Sequence, residues 1–118
     1  MRHHHKGRSF GRPHDQRTAL MRSLMRSLII HERISTTEAK AKELRPMIEK
    51  LVSHARVDSV ANRRLVAARL GNDDEATAKL FSAIAPRYVE RPGGYTRIVK
   101  RSATATDGRK QAYIAFVQ

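Results

Sequence analysis

The sequence predicts an α+β domain: helices beside a small three-stranded sheet, preceded by a basic arm. Three observations predict it. Residues 32–56, ERISTTEAKAKELRPMIEKLVSHAR, hold the longest helical pattern in the chain. Two segments near the carboxyl end alternate with the period of strands. Residues 1–14, MRHHHKGRSFGRPH, are basic and lack apolar periodicity. The element order that results is helix, strand, three helices, two strands, with a basic arm over residues 1–14 and one domain over residues 15–118.

In the arm, Gly7, Gly11 and Pro13 break any regular element, so it is expected to be disordered alone in water. Arg2, Lys6, Arg8 and Arg12 are spaced along it around Phe10, which suits a strand of chain laid along phosphates. The alternative is a solvated tail; terminal blocks of like charge are more commonly interaction tails. His3, His4 and His5 have no carboxylate or further histidine at helical ligand spacing, and neighbouring side chains diverge. They read as polar contacts of the arm, not as a metal site.

The first helix is expected from Asp15, as cap, to Ile30, with Leu20, Met21, Leu24, Met25 and Leu28 on its apolar face. Arg22 and Arg26 project oppositely and continue the basic arm. Arg17 falls over the apolar arc, where its stem can lie on the core and its head reach water.

Residues 32–35 form a short extended piece, the third strand of the sheet. Ser35 or Thr36 then caps the main helix, with Glu38 at capping-box spacing from Ser35. Ala41, Leu44, Met47, Ile48, Leu51, Val52 and Ala55 recur at steps of three and four on one face, and Lys42, Glu49 and Lys50 fall on the other. Twenty helical residues span about 30 Å, so other elements must pack along this stripe. Pro46 removes one internal hydrogen bond and predicts a kink, not a break.

A third helix begins at Asp58 or Ser59, carries Leu65, Val66 and Leu70 inward, and ends at Gly71. A fourth opens on Asn72-Asp73-Asp74-Glu75, whose acids suit the positive end of a helix dipole. Three consecutive acids cannot all face one ion, so capping explains them better than a metal. Leu80, Phe81 and Ile84 point inward. Pro86 is expected to stop this helix by pushing Ala85 toward extended geometry.

Residues 86–101, PRYVERPGGYTRIVKR, read as a basic loop entering a strand. Gly93-Gly94 permits positive φ and close backbone approach. The arginines suit phosphate contact, and Tyr88 and Tyr95 stand open between stacking on RNA bases and packing on the core. Residues 96–101 and 111–117 form an antiparallel hairpin with a long, mobile connection holding Asp107-Gly108. Ala112, Ile114 and Phe116 face one way and Tyr113, Ala115 and Val117 the other; two rather apolar faces predict a strand inside the sheet.

Charge is the main functional clue. Of 118 residues, 24 are Lys or Arg and 11 are Asp or Glu, giving +13 and a pI near 11.2, which attracts a polyanion. Residues 31–90 are near balance, with eleven basic and nine acidic residues; the excess sits in residues 1–30 and 91–118. There is no cysteine, so thiolate sites and disulfides are excluded and a reducing, cytoplasmic setting is expected. No apolar run approaches a membrane span or a secretory signal. No phosphate-binding Gly-rich loop, Gly-x-Ser-x-Gly elbow or His-Glu-x-x-His is present. His31 beside Glu32 and His54 near Asp58 are loose pairings without a nucleophile. An RNA-binding structural protein is therefore expected, with a DNA-binding architectural protein and a small nucleic-acid enzyme as rivals.

Several runs carry a resemblance over essentially the whole chain. They are Met1-Arg2-His3 with Gly7-Arg8 and Gly11-Arg12, the run Ile34-Ser35-Thr36-Thr37-Glu38-Ala39-Lys40-Ala41-Lys42-Glu43-Leu44-Arg45-Pro46, Leu80-Phe81, Ile84-Ala85-Pro86-Arg87-Tyr88, and Arg91 with Gly93-Gly94-Tyr95-Thr96-Arg97-Ile98. In these the sequence resembles the bacterial large-subunit ribosomal protein seventeen family. It departs in its three histidines and in Asp107-Gly108-Arg109-Lys110, where the family more often shows Arg-Gly-Asp. The resemblance implies a two-layer α+β fold and a non-enzymatic role, without cofactor or metal. It also implies binding to large-subunit ribosomal RNA near the peptide tunnel exit, beside large-subunit proteins twenty-two and thirty-two. The expected RNA-binding residues are Arg2, His3, Lys6, Arg8, Arg12, His14, Arg17 and Arg22 on the arm and first helix, Lys40, Lys42 and Arg45 on the main helix, and Arg87, Arg91, Gly93, Gly94, Tyr95 and Arg97 after the fourth helix.

Overall fold

The computed structural model describes residues 14–101 and 110–118. The expected arm, with Arg2, His3, Lys6, Arg8 and Arg12, and the expected mobile connection around Asp107-Gly108 lie outside these residues. The described elements run in the expected order: α1 (His14–His31), β1 (Arg33–Thr37), α2 (Glu38–Ala55), α3 (Val60–Arg69), α4 (Asp74–Lys79), β2 (Thr96–Lys100) and β3 (Gln111–Phe116). Among the described residues no helix is long and apolar enough to cross a membrane.

The sheet is antiparallel in the order β1-β3-β2, so the last strand is the central one, as its two apolar faces predict. Its register places Ile34, Ile114 and Ile98 in one row across the three strands. Ile114 is fully buried, with Ile34 and Ile98 packed on the core beside it. Helix α2 covers this inner face and touches all three strands. Its Leu44, Ile48, Leu51 and Val52 are withdrawn from water. Each such side chain contributes about 1.5–3 kcal/mol of burial. Helices α1, α3 and α4 close the other side through Met21, Met25, Leu28, Ile29, Val66, Leu70 and Ala76.

Strand and helix boundaries follow from hydrogen bonding. The expected cap at Ser35 or Thr36 is corrected to Thr37, whose side chain accepts from the Lys40 N–H at 3.3 Å. Strand pairing continues to Thr37 opposite Gln111, so the backbone is still extended there and the helix starts one residue later. The Glu38 N–H goes to the Lys110 carbonyl at 3.0 Å, tying the start of α2 to the start of β3. Pro46 lies inside an unbroken α2. Met47, expected on the apolar stripe, is 36% exposed, at the edge of the arc that the sheet and α1 cover.

Ser59 caps α3, accepting from the Asn62 N–H at 3.1 Å. The helix ends as its glycine predicts: Gly71 has φ +69°, its N–H goes to Ala68, and the Asn72 N–H returns to Ala67 at 2.7 Å. Asp73 caps α4 at the Ala76 N–H, 3.1 Å away. The expected stop at Pro86 is corrected. The chain continues α4 through a π-helical turn (Leu80–Ile84) and a 3-10 turn (Ala85–Tyr88), with Ala85 at φ −59°, ψ −35°. The wider turn sends the Ala85 N–H to Leu80 and shifts the ladder before the proline. Pro86 then occupies the first turn of a new segment, where no N–H is needed.

Two stability measurements check this packing. Ile48→Ala should cost about 2–5 kcal/mol in urea denaturation, because its cavity would lie between α2 and the sheet. Ser59→Ala should cost about 1 kcal/mol, the worth of one helix cap.

Candidate nucleic-acid interface

Carboxylates sort the basic residues of the body. Glu32 receives Arg87 at 2.5 Å and stands 3.4 Å from Lys79, whose ammonium also donates to the Ile30 carbonyl. Asp73 and Glu75 hold Arg26 at 2.6 and 2.9 Å, so this arginine clamps α1 to the start of α4 instead of facing a ligand. Asp58 takes both nitrogens of an Arg63 fork at 2.6 and 2.9 Å. Glu38 meets Lys42 at 2.9 Å and Lys100 at 3.6 Å. The hydrogen bond from Arg87 holds the Glu32 carboxyl below its ordinary range against the opposing effect of burial, and raises Arg87 in turn. Hydrogen bonds from Arg63 and Lys42 likewise lower Asp58 and Glu38.

The expected binding residues fall into three places around α2. His14 opens α1, exposed, and its ring nitrogen lies 3.4 Å from an Arg17 guanidinium nitrogen. Arg17 sits half-buried over a shallow groove shared with Met21, Glu43 and Met47. Arg22 is exposed, and its stem crosses Gly71: a Cβ there would lie 3.3 Å from the arginine Cδ. On α2, Lys40 is half-buried, Lys42 is tied to Glu38, and Arg45 stands 3.7 Å from Glu49.

The third place is the loop after α4. Glu49 holds it, accepting from the Gly94 N–H at 3.2 Å, the Thr96 N–H at 3.1 Å and the Thr96 hydroxyl at 2.8 Å. Helical periodicity puts Glu49 merely on the polar side of α2. The signal for its role is the Gly93-Gly94 turn itself, whose backbone donors need an acceptor before the strand begins. Gly94 has φ +66°, which glycine takes without strain, and nothing crowds either glycine. Arg91 and Arg97 are exposed, while Arg87 is committed to Glu32.

The two roles open to the tyrosines resolve toward packing. Tyr95 is 1% exposed, its hydroxyl 3.1 Å from the Ser53 hydroxyl and its ring 5.3 Å from the ring of Tyr88. A ring so covered has no face for a base. Tyr88 is equally buried and donates to the Val117 carbonyl; burial raises its pKa. Arg56 lies over Tyr95 and donates to the Arg91 carbonyl, closing the loop against α2.

A basic α+β body that ties most of its described acids internally, with exposed arginines beyond them, defines the class: a small basic α+β protein suited to a polyanion. The family model described as Ribosomal protein L17 matches residues 20–117. The large ribosomal subunit protein bL17 of Thermomicrobium roseum is 52% identical over 117 residues, covering 99% of each chain. The chain belongs to the bacterial ribosomal protein bL17 family.

The Glu32–Arg87 pair makes a pH prediction. A lowered folded pKa adds stability that is present above the ordinary glutamate value of 4.5 and is lost as pH falls through the lower folded value. Glu32→Gln should therefore lower stability at pH 7, by up to about 1 kcal/mol for a partly exposed pair. The difference from the unsubstituted protein should shrink below pH 4.5 in urea titrations at stepped pH.

Proposed function

We propose that this protein is a structural constituent of the large ribosomal subunit that binds and stabilises large-subunit ribosomal RNA and catalyses no reaction. The observation that carries the reading is the end-to-end similarity to a large-subunit protein, 52% identical over 99% of both chains. Charge and geometry agree with it. The body spends most of its described carboxylates on internal ties, and its exposed cations suit phosphates. The basic arm, with Arg2, His3, Lys6, Arg8 and Arg12, enters RNA grooves, and His14, Arg17, Arg22, Lys40, Lys42, Arg45, Arg91 and Arg97 add backbone contacts. Gly93 and Gly94 let the chain approach closely, and Arg87 contributes field from within its ion pair.

The finer placement rests on the family resemblance: a cytoplasmic ribosome site near the peptide tunnel exit, beside large-subunit proteins twenty-two and thirty-two. Phosphate contacts position such a protein on RNA and make its affinity fall steeply with salt.

A chain lacking residues 1–13 tests the arm. It should unfold as cooperatively as the full chain, yet bind large-subunit ribosomal RNA more weakly in filter-binding titrations. Each phosphate left unneutralised should flatten the salt dependence by about 0.7–0.9 in log–log slope. Undiminished affinity and slope would refute the arm's role.

A further inference from the structure

We infer that the outer face of the sheet is a second RNA-contact surface, shaped for an unpaired stretch of RNA and not for a duplex. The inference rests on the RNA-binding reading above and adds the face and the form of RNA it takes.

The period of two sends alternate residues away from α2. The register then sets Arg33, Ala115 and Arg97 in one outer row and Ser35, Tyr113 and Val99 in the next. Arg101 follows at the end of β2, its guanidinium 3.2 Å from the Ser35 hydroxyl. Among the described residues no acid stands in these rows, and Arg33, Arg97 and Arg101 have no carboxylate partner. That contrasts with Arg26, Arg63 and Arg87, which are held by acids.

Tyr113 arranges the face. The Arg33 guanidinium lies 4.0 Å from its ring centroid and that of Arg101 5.3 Å, one reaching from each flanking strand. Such contacts, each about 0.5–1 kcal/mol at an exposed site, hold the two planar cations over the sheet before any ligand arrives. Ala115 leaves a low floor between Arg33 and Arg97, whose strands are about 10 Å apart. Val99 is 51% exposed on the same face, an apolar contact that the core does not use.

Unpaired RNA fits this chemistry. Guanidinium planes stack on splayed bases and hold phosphates, and an apolar floor accepts a base face of any sequence. A-form duplex offers a major groove too deep and narrow for a flat sheet. An acidic protein segment would satisfy the charge but has no use for the stacked planes.

The test uses the full chain and two probes: a single-stranded oligoribonucleotide of mixed sequence, and the same sequence closed in a hairpin duplex. Arg33→Gln, Arg97→Gln and Arg101→Gln are combined in one variant; Tyr113→Phe and Tyr113→Ala are made separately. Thermal unfolding confirms that each variant folds; the exposed Arg33, Arg97 and Arg101 should leave it little changed, and Tyr113→Phe keeps the ring of the half-buried Tyr113. The triple variant should bind the single strand at least about tenfold more weakly, with a log–log salt slope shallower by about 2, at roughly 0.7 for each phosphate no longer neutralised. Tyr113→Phe should bind as the unsubstituted protein does, and Tyr113→Ala should lose part of the affinity. Equal loss on the duplex, or single-strand binding unchanged in affinity and slope, overturns the proposal. So does a triple variant that keeps its RNA affinity but loses retention on an acidic polypeptide. If the unsubstituted protein fails to bind large-subunit ribosomal RNA, the reading of function fails first and takes this inference with it; a full-affinity triple variant removes this inference alone.

Discussion

Helix α2 lies along the inner face of the sheet with Leu44, Ile48, Leu51 and Val52 out of water, and the other elements take their positions from that contact. A chain of 118 residues has a small core, so one long buried stripe is a large share of what holds it. The same contact explains Pro46. The proline removes a hydrogen bond from α2, but Leu44 and Ile48 on either side of it are fully buried, and tertiary packing, more than intrinsic propensity, keeps a helix in place. From the polar side of α2, Glu49 reaches the Gly94–Thr96 backbone and sets where β2 begins. Thr37, paired with Gln111, and Glu38, bonded to the Lys110 carbonyl, join the helix start to β3 and the residue before it.

Around this frame a strongly basic chain uses scarce acids as clamps. Arg26, Arg87 and Lys79 each fasten two distant segments through a carboxylate, and Arg63 ties α3 to the turn before it. Partly exposed pairs add little stability singly. Their larger effect is distributional, because the cations they neutralise attract an outside polyanion less strongly than unpaired ones. Among the described residues, Arg33, Arg97 and Arg101 are left facing outward on the sheet, and Arg22, Arg64 and Arg69 stand exposed on α1 and α3. The uneven placement of charge in the sequence thus becomes, in three dimensions, a body with a bland interior frame and selected basic faces.

Much of the fold could be read from periodicity. The element order, the central position of β3, most of the inward faces of α1 and α2, the starts of α3 near Asp58-Ser59 and of α4 within Asn72–Glu75, and the terminator Gly71 all follow from patterns a few residues long. The misreadings share a cause. Ser35 has the spacing of a capping box, but strand pairing across to β3 carried the extended backbone two residues further. Pro86 disfavours helix locally, but the π-helical turn before it changed the ladder that the proline would have broken. Met47 has the right period and lies just past the covered arc. Tyr95 sits in an Arg-rich loop that looks made for RNA, yet Ser53, 42 residues away in sequence, and Tyr88 close over it.

Local order therefore came from the amino-acid string alone: which segments are helical, which extended, where the chain turns, and that its charge suits a polyanion. Those properties depend on neighbours within about one helical turn and on net charge, both of which are visible without coordinates. Which arginines remain unneutralised was decided only by folding. Arg26 and Arg33 are equivalent in composition and lie seven positions apart, yet one is held by Asp73 and Glu75 and the other rests on Tyr113. Ion pairing acts over a few ångströms in space, and the groups that meet there are some fifty to eighty residues apart along the chain.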